Sequence, residues 1–263
     1  MNDLCIGGAG IDGVMFVGAL EYLHSNSLLD LKRFYGCSIG TLIGILYITG
    51  ISPKKILSML MEIDTKELIQ YDFSNIKTNN SILNNTLLNT LTSYIENHDT
   101  ITIGEFVEKY NVDINIYSAN LTTYEYTNFN KKDYPEIKLK DAVIASMSVP
   151  FIFPPKKIGE NYYIDGCVKN ILGSPPMDIF IMGYSIILKN NYSTTYVGKV
   201  MNTMRDDSLP NSLYTIECQG KLEFRDILNI DNILTSTIIF EMYKDGINTS
   251  RNQLSHNNFT TWE

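Results

Sequence analysis

The stretch Leu4-Cys5-Ile6-Gly7-Gly8-Ala9-Gly10-Ile11-Asp12-Gly13-Val14-Met15-Phe16-Val17 sets the fold class. Leu4-Cys5-Ile6 reads as a short buried strand and Gly7 to Gly10 as a flexible loop. Val14, Val17, Leu20 and Leu23 then keep helical spacing, which predicts a helix over Gly13–Leu23. Strand, glycine loop and helix make the opening of an α/β unit. A second unit follows: a strand at Phe34-Tyr35-Gly36, a turn at Gly36-Cys37-Ser38-Ile39-Gly40, and an apolar helix over Ile39–Ile48. Pro53, a favoured first helical position, opens a helix through Ile63. Further on, helices are predicted within Ser81–Ile95 and over Thr102–Tyr110, Leu139–Ser146 and Ile233–Tyr243. Strands are predicted at Val112–Ser118, Tyr124–Phe129, Ile179–Leu188 and Leu213–Cys218. Pro154-Pro155 is a rigid turn before a hairpin, Lys156–Ile158 with Tyr162–Ile164, around Gly159-Glu160. The alternation predicts an α/β fold: a largely parallel central sheet flanked by helices, in one domain over residues 1–263.

Composition narrows the function. The 263 residues are 44% hydrophobic and 19% charged, which excludes wholesale disorder. A net charge of −8 argues against nucleic acid as a partner and against attraction of the whole chain to anionic lipid. The longest apolar stretch, Ile39 to Ile51, is interrupted by Gly40, Gly44 and Gly50 and falls short of the roughly 20 residues of a membrane span. No transmembrane segment or secretory signal is expected, which points to the cytoplasm and free thiols. Cys5, Cys37, Cys167 and Cys218 form no C-x-x-C pair, and His24, His98 and His256 are scattered, so neither a metal nor another cofactor is expected. Cys37 and Cys167 can lie near each other and are taken as packing residues.

Two glycine motifs carry the chemistry. Gly8-Ala9-Gly10-Ile11-Asp12-Gly13 matches G-x-G-x-x-G. A dinucleotide loop wants an acidic residue at the end of the next strand, whereas Asp30 precedes the Phe34 strand. The other readings are a tight strand-to-helix turn and a cradle of backbone N–H groups for a developing oxyanion. Gly36-Cys37-Ser38-Ile39-Gly40 is G-x-S-x-G between strand and helix, the setting of a nucleophile elbow with Ser38 at its tip, or else a plain small-residue turn. A serine needs a base. The order Ser38, Asp165, His256 fits a triad esterase, but His256 sits in a polar tail with no strand before it.

Three ordered blocks resemble the patatin-like phospholipases. They are Gly7-Gly8-Ala9-Gly10-Ile11-Asp12-Gly13 at the family's oxyanion loop, Gly36-Cys37-Ser38-Ile39-Gly40 at its G-x-S-x-G, and Asp165-Gly166-Cys167 at its D-G-[GA]. The segment Ala145 to Pro155 is similar to the family's A-S-x-[AS]-x-P-x-x-F-P-P, Asn115 to Thr123 to its strand and N-L-T-T turn, and Asn170 to its Asn after D-G-[GA]. The resemblance covers about residues 4–170 and implies a patatin-like three-layer sandwich. It implies a lipid acyl hydrolase in which Ser38 is the nucleophile and Asp165 the base of a histidine-free dyad. The N–H groups of Gly8, Ala9 and Gly10 would form the oxyanion hole, and the substrate would be a phospholipid or other lipid ester met by transient membrane contact. Two residues depart from the pattern. Ala9 replaces a glycine, harmless unless the position needs φ > 0. Asp12 replaces the usual Arg or Lys; it is expected to cap the Gly13 helix and point away, the alternative being a catalytically weakened, lipid- or partner-binding homologue. Phe151 to Phe153, and Lys54 and Lys55 beside Met59 and Met61, are read as core packing rather than a lipid-facing lip.

Overall fold

Asp3–Ile6 (β1), buried at every residue, is an inner strand of an eight-stranded sheet ordered β5-β6-β3-β2-β1-β7-β8, with β4 also on β3. The computed structural model describes residues 1–64, 68–69, 71, 81–168, 177–184, 212–220 and 233–255. The strands are β2 (Arg33–Cys37), β3 (Asp113–Asn120), β4 (Tyr126–Asn130), β5 (Lys156–Ile158), β6 (Asn161–Asp165), β7 (Met177–Tyr184) and β8 (Ser212–Gln219). The described helices are α1 (Val14–Ser25), α2 (Ile39–Ile48), α3 (Pro53–Met61), α4 (Thr86–Thr92), α5 (Ile103–Tyr110), α6 (Leu139–Met147) and α7 (Ser236–Ser255).

The expected α/β fold is present. Strands β3-β2-β1-β7-β8 run parallel, while β4, β6 and β5 join antiparallel. The hairpin pairings β3–β4 and β5–β6 follow from their connections: links that short cannot carry a parallel crossover. The inner parallel strands bury their apolar residues, among them Leu4, Ile6, Phe34, Ile114, Ile116, Ile179 and Ile181. Helices α2, α6 and α7 pack on β2, β3 and β8 respectively.

Local signals set the helix starts. Ser52 caps α3 by accepting from the Lys55 N–H, with Pro53 next. Thr102 and Glu105 form a reciprocal capping box on α5. Three boundaries differ from expectation. The helix within Ser81–Ile95 is confined to α4, because Ser81 bridges Phe151 in extended pairing. Strand β4 starts at Tyr126, since Tyr124 lies in the turn with φ 61°. Helix α7 runs to Ser255, well past Tyr243, and is held close against α1. A Cβ on Gly246 would fall 1.9 Å from the Met15 carbonyl oxygen, and one on Gly18 2.0 Å from that of Tyr243, so the two backbones touch. Residues 185–188, the end of the expected Ile179 strand, lie outside the described residues.

Candidate active site

Strand β3 explains how residues 38 and 165 meet. A strand has two edges. Antiparallel β4 takes one of them over Asn115 to Ala119. Strand β2 lies along the other and stops where Cys37 faces Tyr117. Strand β6 pairs Ser118 to Asn120 on that same edge, beginning where Asp165 faces Ser118. The ends of β2 and β6 therefore abut along β3, and the next residue of β2's chain is Ser38. Residues far apart in sequence are brought within one step of the ladder, with Asp165 N–H held by the Ser148 carbonyl at 2.9 Å.

Ser38 sits on a sharp elbow. It is buried, with φ 54° and ψ −137°, a region costly for any side chain, and Ile39 begins α2 directly. Such strain persists where surrounding contacts over-determine it. Here those contacts converge on Ser146, a fully buried residue of α6. Its Oγ accepts from the Ser38 N–H at 2.9 Å, donates to the Tyr117 carbonyl at 2.7 Å, and lies 3.1 Å from Thr41 Oγ1. The sequence reading missed this role. The only local signal was a serine on an otherwise apolar helix face. The N-terminus of α2 adds partial positive charge where an alkoxide at Ser38 would form.

Asp165 is almost wholly buried. Burial pushes its carboxyl up to about 6, against opposing pulls from the Ser38 hydroxyl and the Cys167 backbone N–H and thiol. Oδ1 accepts from the Cys167 N–H at 2.8 Å. Oδ2 makes no hydrogen bond within the described residues, leaving it open to a proton. The Ser38 hydroxyl is among the neighbours that favour the ionised carboxylate.

The glycine loop runs beside both. A Cβ on Gly8 would lie 3.0 Å from Ser38 Cβ and 2.3 Å from Cys167 Sγ, so only glycine fits there. Gly7 N–H donates to the Ile181 carbonyl at 2.9 Å. Gly8 and Ala9 N–H donate to no acceptor among the described residues, and Gly10 opens the short 3-10 turn Gly10–Gly13, where N–H groups are left over. Ala9 has φ −150°, so its side chain is unstrained. Gly10 has φ 55°, a backbone region that favours glycine. Gly13, Gly36, Gly40 and Gly166 are all buried around these turns, and Gly166 accepts from the Tyr126 hydroxyl at 2.6 Å.

The expected cap at Asp12 is a correction. Gly13, not Asp12, is the N-cap of α1, and among the described residues no side chain makes a cap hydrogen bond there. Asp12 is instead buried in the 3-10 turn, where its charge helps to raise the Cys218 thiol, on β8. Asp12 is not among the groups that shift Asp165.

Of the other expectations, Phe151 is exposed, with φ 68°, while Ile152 and Phe153 are buried; the core reading holds for two of the three. Met59 is buried, and Lys54 is exposed and pairs with Glu21 at 3.4 Å. Asn170 and His256 lie outside the described residues. Cys37, Asp165 and Cys167 bring potential metal-ligating atoms within 4.8 Å of one another. They fit a metal poorly. The two Sγ atoms are 3.0 Å apart, whereas two thiolates on tetrahedral zinc sit about 3.8 Å apart, and burial helps push both thiols up. A polar cleft of about 330 Å³ lined by Asn97, Thr100, Ile101, Glu105 and Lys109 shares no residue with the site. No helix among the described residues is long and apolar enough to cross a membrane.

Known proteins are similar to this chain in sequence and in fold. The chain is 29% identical over 185 residues to the probable lipid hydrolase 463L of Invertebrate iridescent virus 6, covering 68% of this chain and 62% of that protein. It is 25% identical over 171 residues to the uncharacterized protein R571 of Acanthamoeba polyphaga mimivirus, covering 63% and 58%. The aligned region thus spans about three fifths of the length of these relatives. The fold is similar to the crystal structure of VipD from Legionella pneumophila (TM-score 0.58, 13% identity, 97% of this chain and 67% of that one). It is also similar to the type III effector ExoU, known from Pseudomonas aeruginosa (TM-score 0.53, 13% identity, 98% and 53%). The family model for patatin-like phospholipases matches residues 4–178, about two thirds of the chain and all three glycine-bearing turns, and the chain belongs to that family.

Proposed function

We propose that this protein is a serine hydrolase of lipid carboxylic esters working through Ser38 and Asp165. The observation that supports it most is the abutment of β2 and β6 on one edge of β3, beside the Gly8 loop. Asp165 takes the Ser38 hydroxyl proton as Oγ attacks the ester carbonyl. The tetrahedral oxyanion is met by the N–H groups of Gly8, Ala9 and Gly10, an arrangement in which each donor contributes about 100- to 1,000-fold in rate. Collapse expels the alcohol, which takes its proton from Asp165. Water then attacks the acyl-enzyme, giving its proton to Asp165; the bond to Ser38 Oγ breaks, Oγ takes that proton back, and the fatty acid leaves. A carboxyl titrating near 6 suits this exchange, being mostly ionised at neutral pH yet basic enough to accept a proton.

The lipid substrate class follows the family and the iridovirus relative, a phospholipid or related glycerolipid being the fitting ester. The four free cysteines suit a reducing, cytoplasmic setting, with transient contact at membrane surfaces. Strands β7 and β8 complete the sheet that bears the motifs, and the reading takes residues 1–263 as one domain. The test is labelling by a fluorophosphonate probe together with hydrolysis of phospholipid and short-chain esters. Ser38→Ala should abolish both, and Asp165→Asn should abolish turnover; undiminished hydrolysis in either variant rejects the mechanism.

A further inference from the structure

We propose that Cys37 and Cys167 close to a reversible disulfide that switches this site off. The four cysteines are free. The Cys37 and Cys167 Sγ atoms lie 3.0 Å apart, about 1 Å more than a disulfide bond of about 2.05 Å. Each sulfur is tied to the reacting groups. Cys37 ends β2 and immediately precedes Ser38. Cys167 follows Asp165 by two residues and gives its N–H to Asp165 Oδ1 at 2.8 Å. Its Sγ also occupies the space a Gly8 Cβ would need. One pair of sulfurs therefore touches the nucleophile's strand, the base's hydrogen bond and the oxyanion loop. Interiors this close-packed have no slack, so drawing the sulfurs together displaces at least one of the three. A displacement of about 1 Å in a catalytic group costs about a hundredfold in rate.

The chemistry needs a hydroperoxide as oxidant. Cys167 is the partly exposed member and Cys37 the buried one. The Cys167 thiolate attacks a peroxide oxygen and the O–O bond breaks, leaving a sulfenic acid and hydroxide. The Cys37 sulfur attacks the Cys167 sulfur, the S–O bond breaks, and a second hydroxide leaves. Two thiols and one hydrogen peroxide give one disulfide and two waters; the sulfurs give up two electrons and the peroxide takes them. A dithiol reductant reverses the reaction by thiol exchange. Each thiol here neighbours Asp165, and Cys37 also neighbours Cys5. These neighbours and burial make thiolate scarce at neutral pH, so closure should speed up as pH rises.

The activity readout rests on the proposed ester hydrolysis, while the thiol readouts do not. The full chain is treated with hydrogen peroxide, then denatured, its free thiols counted and its cysteine peptides mapped. The expected result is a fall from four thiols to two, a Cys37–Cys167 linked peptide, and about a hundredfold loss of ester hydrolysis that dithiothreitol restores. Cys5→Ala should retain both the linkage and the sensitivity. Cys37→Ala and Cys167→Ala, each compared with its own untreated activity, should lose them. Peroxide treatment that leaves these two cysteines unlinked, or that links them without changing hydrolysis, overturns the proposal. If reduced protein hydrolyses no ester, it is the catalytic reading that has failed, and the switch is refuted unless the linkage also blocks fluorophosphonate labelling of Ser38.

Discussion

Asp165→Asn should change how stability depends on pH, by an amount the burial of the carboxyl sets. The folded carboxyl titrates near 6, against 3.8 for an ordinary aspartate, mainly because burial disfavours its charge. The folded state thus holds this proton more tightly than the unfolded chain does. Protonation favours folding, and stability is lost as pH rises from 3.8 through 6. Linkage puts the loss at about 1 kcal/mol by pH 4.5 and about 3 kcal/mol by pH 7.5. Asparagine cannot ionise, so its buried amide carries a constant cost over this range. Urea unfolding of both proteins at the two pH values isolates the difference, because every other titrating group cancels to first order. The stability of Asp165→Asn minus that of the native protein should grow by about 2 kcal/mol between pH 4.5 and 7.5. Parallel stability curves would refute the idea that Asp165 is held, charged, in a dry site. The same titration should appear in catalysis as a rise of about tenfold in kcat/KM from pH 5 to pH 7.

Ser146→Ala leaves the Ser38 N–H and the Tyr117 carbonyl without their buried partner. It should lower stability by about 1–3 kcal/mol and lower kcat far more than it changes KM, read from denaturation and steady-state ester hydrolysis. Gly8→Ala forces a methyl onto Cys167 Sγ and Ser38 Cβ. Its ester hydrolysis should drop about 100- to 1,000-fold, the cost of one misplaced oxyanion donor. Gly246→Ala drives a methyl into the Met15 carbonyl and should cost about 1–3 kcal/mol in urea unfolding as α7 is levered off α1.

What could be read from the sequence was local. Gly8, Gly10, Gly36 and Gly40 punctuate strand-to-helix turns, so the loop and the elbow announce themselves within a few residues. The meeting of Ser38 with Asp165 was implied only by resemblance, because it depends on which edge of β3 each strand takes, a matter of long-range register. Ser146 was hidden because its value lies in three partners, on the Ser38 elbow, at the start of α2 and on β3, all far from it in sequence. Asp12 misled because an acidic residue before a helix reads as a cap, yet the intervening 3-10 turn carried it toward Cys218. Gly18 and Gly246 read as weak points in helices; they are where two helix backbones come into contact.

That contact bears on where this protein can be cut. Helix α1 follows the glycine loop and its 3-10 turn, and the helix seated on it, α7, comes from beyond the family-matched residues 4–178. A fragment ending at residue 178 would keep every proposed reacting group while stripping the cover from α1, baring a greasy flank and the backbone around Met15. Such a fragment should clump rather than catalyse, so a working boundary for this protein is drawn by which faces remain sheltered, not by where the signature residues stop.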